Sequence, residues 1–296
     1  MARFGRNFFR AALYSLVASA FSSSFVVAQQ PPATGLSEPV FRVSKNEPSI
    51  PSAVPHPLDP AILLAHQSLA LIRKDLKDYT AVLVKRERIG DDLGEHEFMF
   101  VKVRNRKFEE NKLVTPFSVY LAFLKPTAVK GREVLFVENQ NDGKLFAHEG
   151  GMKRMLGTHS LEPTGYLAMA GQRYPLTDIG IENLVVKLIE RGEKDKRHGA
   201  CNVELVPGAK VAQRACSIIQ VTHPVQQSHF EFHIAQIFMD DEWKIPVRYA
   251  AYSWPKTPGG EPEVIEEYTY QNLKFNVGLT DADFDVKNKD YNFHGK

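Results

Sequence analysis

The sequence predicts an α+β fold, mainly β: a curved antiparallel sheet or half-open β-barrel of about ten strands with a helical plug. Three observations carry this reading. Short apolar runs alternate with turn-forming residues through most of the chain, two stretches have the apolar spacing of amphipathic helices, and the central strands are apolar on both faces.

The first segment reads as an address rather than as structure. Met1–Arg10 carries Arg3, Arg6 and Arg10, Ala11–Ala28 has no charged residue, and Val26-Val27-Ala28 is a small-residue cleavage pattern before Gln29. A transmembrane anchor is the rival, but Ser15, Ser19, Ser22, Ser23 and Ser24 dilute the stretch. Residues 1–28 are therefore expected to be a cleaved signal peptide and the mature protein to be exported, periplasmic or secreted, with no transmembrane anchor left. Residues 29–58 hold seven prolines and little apolar periodicity, the composition of a disordered linker. Residues 59–296 are expected to form a single β-rich domain.

That domain opens on a helix. Asp59 is a suitable N-cap, Pro60 suits the first helical position, and Ile62, Ala65, Leu69, Ile72 and Leu76 recur at three- and four-residue steps to an end near Asp78. A second helix has Ile181, Leu184, Val185, Leu188 and Ile189 as its stripe, Thr177 or Asp178 as its cap and Gly192 to close it. Strands are predicted at 79–89, 96–106, 117–125, 133–137 and 144–148 before that helix. After it they are predicted at 201–206, 211–223, 229–239, 244–253 and 264–275. The connections are short, so neighbouring strands should be antiparallel, and about ten strands in one meander should curl or close.

The strand at 117–125 bears most directly on function. Phe117, Val119, Leu121 and Phe123 make one face large and apolar, and Tyr120, Ala122 and Leu124 make the other mostly apolar too. The runs around Phe100 and Phe136 behave alike. A sheet of this kind must be covered on both sides or expose apolar surface. Either the helices fill the curved sheet completely, or they leave an apolar cavity lined by Phe100, Phe117, Val119, Leu121, Phe123 and Phe136.

Charge and motifs exclude several classes of function. The formal charge is +2; without the three arginines of the leading segment, 34 basic and 35 acidic side chains remain, spread evenly. Nucleic-acid binding needs a clustered basic surface and is excluded as a leading role. G-x-S-x-G, S-x-x-K, Walker-type, C-x-x-C and H-E-x-x-H patterns are absent from the sequence. A non-enzymatic role without a cofactor is therefore expected.

Two small constellations remain. On a strand, His229, Glu231 and His233 would share a face and could serve as zinc ligands. Their spacing of about 6.6 Å is wide for one ion, and an exposed polar face is the simpler reading. His148, Glu149 and His159 flank Gly150-Gly151 and could contribute to a cavity mouth. Cys201 and Cys216 are the only cysteines. A hairpin turning at Pro207-Gly208-Ala209-Lys210 would place them opposite each other, within disulfide reach, in an oxidising compartment. Pro207 cannot donate the hydrogen bond of a two-residue turn, so the register could slip.

Several segments together resemble a known family. PFSVYLAFLKP at 116–126, KGREVLFVE at 130–138, RYPLTDIGIENL at 173–184, HPVQQSHFEFH at 223–233, WKIPVRYAAYSWP at 243–255 and NLKFNVGLTDADF at 272–284 resemble exported bacterial proteins grouped as domain of unknown function 1571. The resemblance spans roughly residues 61–293 and implies no activity. More distantly, the order of helix, meander, helical insertion and closing strands is similar to the lipoprotein carriers LolA and LolB. The LolA-like resemblance implies a half-barrel whose helical lid encloses a cavity for acyl chains. Those carriers have an arginine after the phenylalanine of the strand matching 117–125, where this chain has Ser118, a departure that bears on a lipoprotein-carrier cycle. The expected partner is a lipid or a lipoprotein acyl chain. The alternative is a cell-envelope interaction module with a packed core and a protein partner.

Overall fold

One strand pairing decides the architecture: the first long strand of the sheet lies beside the last. The computed structural model describes residues 56–199 and 201–293. The expected signal peptide and most of the expected linker lie outside the described residues. Leu58 does not behave as linker, because it is buried against Ile62 and belongs to the fold.

Helix α1 (Asp59–Asp75) leads into β1 (Asp78–Ile89), β2 (Asp92–Leu93), β3 (Glu97–Arg104), β4 (Lys107–Glu109), β5 (Lys112–Thr115), β6 (Ser118–Lys125), β7 (Glu133–Val137), β8 (Leu145–His148) and β9 (Thr158–Leu161). The chain then crosses through the short α2 (Tyr166–Met169) and the long α3 (Ile181–Lys196). It returns as β10 (Asn202–Val211), β11 (Arg214–Thr222), β12 (Ile234–Asp240), β13 (Pro246–Tyr252) and β14 (Val264–Phe275).

All strands but β4 and β5, which form their own hairpin, join one antiparallel sheet in the order β10-β11-β12-β13-β14-β1-β3-β6-β7-β8-β9, with β2 beside β1. Two meanders thus meet along β1 and β14, and the segment from β9 to β10 must travel from one sheet edge to the other. The sheet is open, with β9 and β10 at its ends.

The inner face is set by alternation. Val119, Leu121 and Phe123 of β6 stand opposite Val103, Val101 and Met99 of β3, and all six are buried in one cluster with Ile72, Ile181 and Val185 from the helices. Beneath the second meander, Ile219, Val221, Ala235, Ile237 and Tyr249 meet Ile62 of α1 and Leu184 and Leu188 of α3. α3 begins where the backbone N–H of Ile181 donates to the Tyr79 hydroxyl at 2.9 Å, which ties its first turn to β1.

The outer face is covered by a segment that the strand and helix pattern left unassigned. Residues 279–293 return across β3, β6 and β7, burying Phe284, Tyr291 and Phe293 against Tyr120, Leu135 and Val137. Polar contacts pin them: Asn292 N–H to Glu133 Oε2 at 2.8 Å, Lys102 Nζ to Asp283 Oδ1 at 2.8 Å and Arg104 Nη1 to Asp281 Oδ1 at 2.7 Å. This is how strands apolar on both sides are satisfied.

Five expectations are corrected. α1 is capped at Leu58, and Asp59 already lies in its first turn. Gly192 does not end α3 but sits inside it; a Cβ there would lie 3.1 Å from Ile62 Cγ1, so glycine permits the close approach of α1. The hairpin between β10 and β11 turns at Ala212-Gln213, where Ala212 takes φ +52°, and Pro207-Gly208 form a bulge within the strand. Proline cannot join the ladder, and a bulge is one place a strand tolerates it. That register puts Ala209 opposite Cys216, and the cysteines lie buried in different clusters as free thiols rather than as a bridge. Finally, residues 229–233 precede β12 instead of forming part of it.

Candidate functional site

The crossover does not fill the curve of the sheet. Between the inner face of the first meander and the cover formed by residues 161–191 lies a partly open cavity of about 640 Å³. Its sheet wall is apolar, made by Leu83, Met99, Leu121, Phe123, Val134 and Leu145. Leu167, Leu176, Ile179, Leu184 and Leu188 face it from the cover and α3.

Of the six residues expected to line a cavity, the sheet brings Leu121 and Phe123 to this wall. Val119 lies farther along the same face, wholly buried in the core. Phe117 and Phe136 pack against each other, with ring centroids 6.4 Å apart, in that core. Phe100 is on the wrong face: Met99 and Val101 point inward, so Phe100 points outward and packs under the C-terminal segment.

The other end of the cavity is polar. β1 carries its inward phase from Tyr79, Ala81 and Leu83 on to Lys85 and Glu87, and β14 sets Tyr268 opposite Lys85 and Glu266 opposite Glu87. Two facing carboxylates repel unless compensated. Compensation comes from the crossover. The Arg173 backbone N–H donates to Glu87 Oε2 at 3.1 Å, its Nε donates to Glu266 Oε2 at 2.9 Å, and the Tyr174 hydroxyl donates to Glu266 Oε1 at 3.1 Å. Tyr268 donates to Glu87 Oε1, Lys85 Nζ stands 3.3 Å from Glu87 and 3.1 Å from Glu97, and Gln172 accepts from Lys85.

Burial pushes the Glu266 carboxyl above the usual range, while Arg173 pulls it back. Burial likewise pushes the Tyr174 and Tyr270 phenols up to about 12 and raises Tyr249 and Tyr268 well above their ordinary value, so all four remain neutral. The sequence offered one signal for this end: a lysine and a glutamate in the inward phase of an otherwise apolar strand.

The charged side chains at the rim are also paired. Arg132 meets Glu149 at 3.1 Å, Arg191 meets Glu231 at 2.6 Å, Lys194 meets Glu231 at 3.3 Å and Lys187 meets Asp178 at 3.5 Å. Of the residues expected at a mouth, Glu149 reaches the rim, His148 is buried beside Thr158 and His159 is exposed.

Chemistry outside the cavity is unpromising. Glu231 is engaged by Arg191 and Lys194, His233 Nδ1 lies 2.8 Å from the His223 carbonyl, and His229 packs on His198 at 4.4 Å, so His229, Glu231 and His233 do not converge. Among the described residues, no group of three or more His, Cys, Asp or Glu side chains is arranged to hold a metal ion. Asp195 and His223 are buried 3.6 Å apart, beyond hydrogen-bond distance. Burial pushes the Cys201 thiol up to about 11, the direction that makes a thiol inert. Among the described residues, no helix is long and apolar enough to cross a membrane.

Comparison with solved structures gives distant matches. A DUF1329 family protein from Desulfovibrio piger is 14% identical, with 78% of this chain and 98% of that one covered and a TM-score of 0.37. The lipoprotein LppX of Mycobacterium tuberculosis is 13% identical, with 75% and 98% covered and a TM-score of 0.40. MucB in the MucA/MucB complex of Pseudomonas aeruginosa is 14% identical, with 76% and 60% covered and a TM-score of 0.41. No curated protein matches by sequence. Residues 76–293 match the family described as Protein of unknown function (DUF1571), and the chain belongs to that family.

Proposed function

We propose that this protein binds a lipid or similar apolar ligand in the cavity beneath its helical crossover, as an exported carrier or sensor rather than an enzyme. The observation that carries the reading is the cavity itself: about 640 Å³ against an apolar sheet wall, within the range of roughly 300–1,000 Å³ that small-molecule sites occupy. Burying a dozen methylenes there yields on the order of 10 kcal/mol before the costs of binding. The pairing of Arg132, Lys187, Arg191 and Lys194 with Glu149, Asp178 and Glu231 supports a ligand held without a charged clamp. A cell-envelope interaction module with a fully packed core is the other reading, and an unfilled inner face speaks against it.

Displacement of a fluorescent fatty acid tests the proposal. The parent protein should take up the probe saturably. Leu121→Trp should reduce uptake with little change in melting temperature, because the void accepts the added ring. Absence of uptake by the parent, with a large loss of stability in Leu121→Trp, overturns it.

A further inference from the structure

Residues 151–156 form a short 3₁₀ helix between β8 and β9 that exposes three large apolar side chains. Met152 is 93% exposed, Met155 90% and Leu156 64%. Isolated exposed apolar residues are ordinary, but three within five positions form a patch. In a 3₁₀ turn, residues three apart eclipse, so Met152 and Met155 project from the same side. Lys153 and Arg154 stand between them, exposed and without an ion pair among the described residues. That contrasts with the cavity rim next door, where each of four cations has a carboxylate.

The turn is also anchored at one end. A Cβ on Gly150 would lie 2.0 Å from the Lys130 carbonyl oxygen, so the strand end packs directly on the backbone of residues 130–132. Gly151 and Gly157, at φ +58° and +77°, then carry the chain out and back. The residue before this base, Glu149, lines the cavity, so the exposed turn rises from the cavity's rim.

We propose that this turn docks the protein on a bilayer surface containing anionic lipid. Met152, Met155 and Leu156 enter the boundary of the acyl region, and Lys153 and Arg154 meet lipid phosphates. An apolar tip bearing unpaired basic residues is the chemistry that binds such an interface. A soluble protein partner would not account for the pairing of methionines with free cations as directly. This docking goes beyond the ligand reading and does not depend on it.

Flotation of the full chain with phosphatidylcholine vesicles, with and without phosphatidylglycerol, tests the proposal. The parent should float with the anionic vesicles and bind neutral ones roughly thirtyfold more weakly, the loss of about two basic contacts. Met152→Asp with Met155→Asp should abolish flotation on both. Lys153→Gln with Arg154→Gln should remove the preference for phosphatidylglycerol. These side chains are exposed, so melting temperature and fatty-acid displacement should be unchanged in every variant. Equal flotation of parent and variants, including flotation through the segment at residues 11–28, overturns the proposal. So does a parent that stays in solution with both kinds of vesicle.

Discussion

Tyr120 on the outer face of β6 stacks on Tyr291 of the C-terminal segment, with ring centroids 3.9 Å apart and planes 10° from parallel. The Tyr291 hydroxyl donates to the Asp283 carbonyl at 2.7 Å, and Phe293 meets Tyr120 edge-on at 6.4 Å. The last residues of the fold are therefore a second cover, not a tail. Tyr291→Ala should destabilise the protein by about 3 kcal/mol, as large-to-small changes of buried aromatics do. Uptake of an apolar probe should survive, because the cavity lies on the other face. Denaturant titration and probe binding on the same variant check both parts.

Ala122, one residue from Leu121, points toward that cover. It packs against the cluster of Tyr120, Tyr291 and Phe293 there, so Ala122→Trp should cost about 1–3 kcal/mol through overpacking. Thermal melting of this variant beside Leu121→Trp measures the difference between the faces. Equal losses would mean the inner face is as full as the outer.

Asp195 gives a pH-dependent expectation. Burial pushes its carboxyl from 3.8 up to about 6, and its place in the last turn of α3 is one where negative charge is disfavoured. The folded state then holds a proton that the unfolded chain has released between those values, so this group's contribution to stability is lost as pH rises through about 6. Asp195→Asn should stabilise at pH 7 by roughly 1–3 kcal/mol, and the gain should shrink toward pH 4. Melting curves at the two pH values read the sign directly; a gain that is the same at both would contradict it.

Both cysteines are buried and unbridged, and burial raises both thiols. Thiol titration of unfolded, unreduced protein should find two reactive groups, and the native protein should react only slowly. Finding none would restore a bridge that the register of β10 on β11 does not permit.

How far the sequence disclosed all this depends on the kind of signal. Strands β7 and β14 coincide with their predicted limits because alternation and flanking turns agree there. The inward direction of Leu121 and Phe123 follows from a two-residue period, whereas Phe100 faces outward, a phase that strands apolar on both sides leave open. The Cys201–Cys216 expectation failed on a single competition: Pro207-Gly208 reads as a turn, yet the chain used it as a bulge and turned at Ala212. Gly192 has the composition of a helix end, and only its proximity to Ile62 reveals its use. The stretch between α2 and α3 that carries Arg173 and Tyr174 has no apolar period. Its site is built from Glu87 and Glu266, residues 179 positions apart whose facing positions become visible only in the register.

The seam between β1 and β14 also constrains how the chain reaches its native state. Its register joins Tyr79 to Phe275 and Glu87 to Glu266, contacts of very long sequence separation, which slow folding because a long loop must close before they form. A chain appearing from its N-terminus can pair β1 with β3 early, but the opposite edge of β1 stays unpaired until nearly the whole sequence has emerged. During that interval Leu83 and its neighbours present a bare apolar strand edge, a template for pairing with another copy. The risk of aggregation in this molecule is therefore greatest while its last strand is missing.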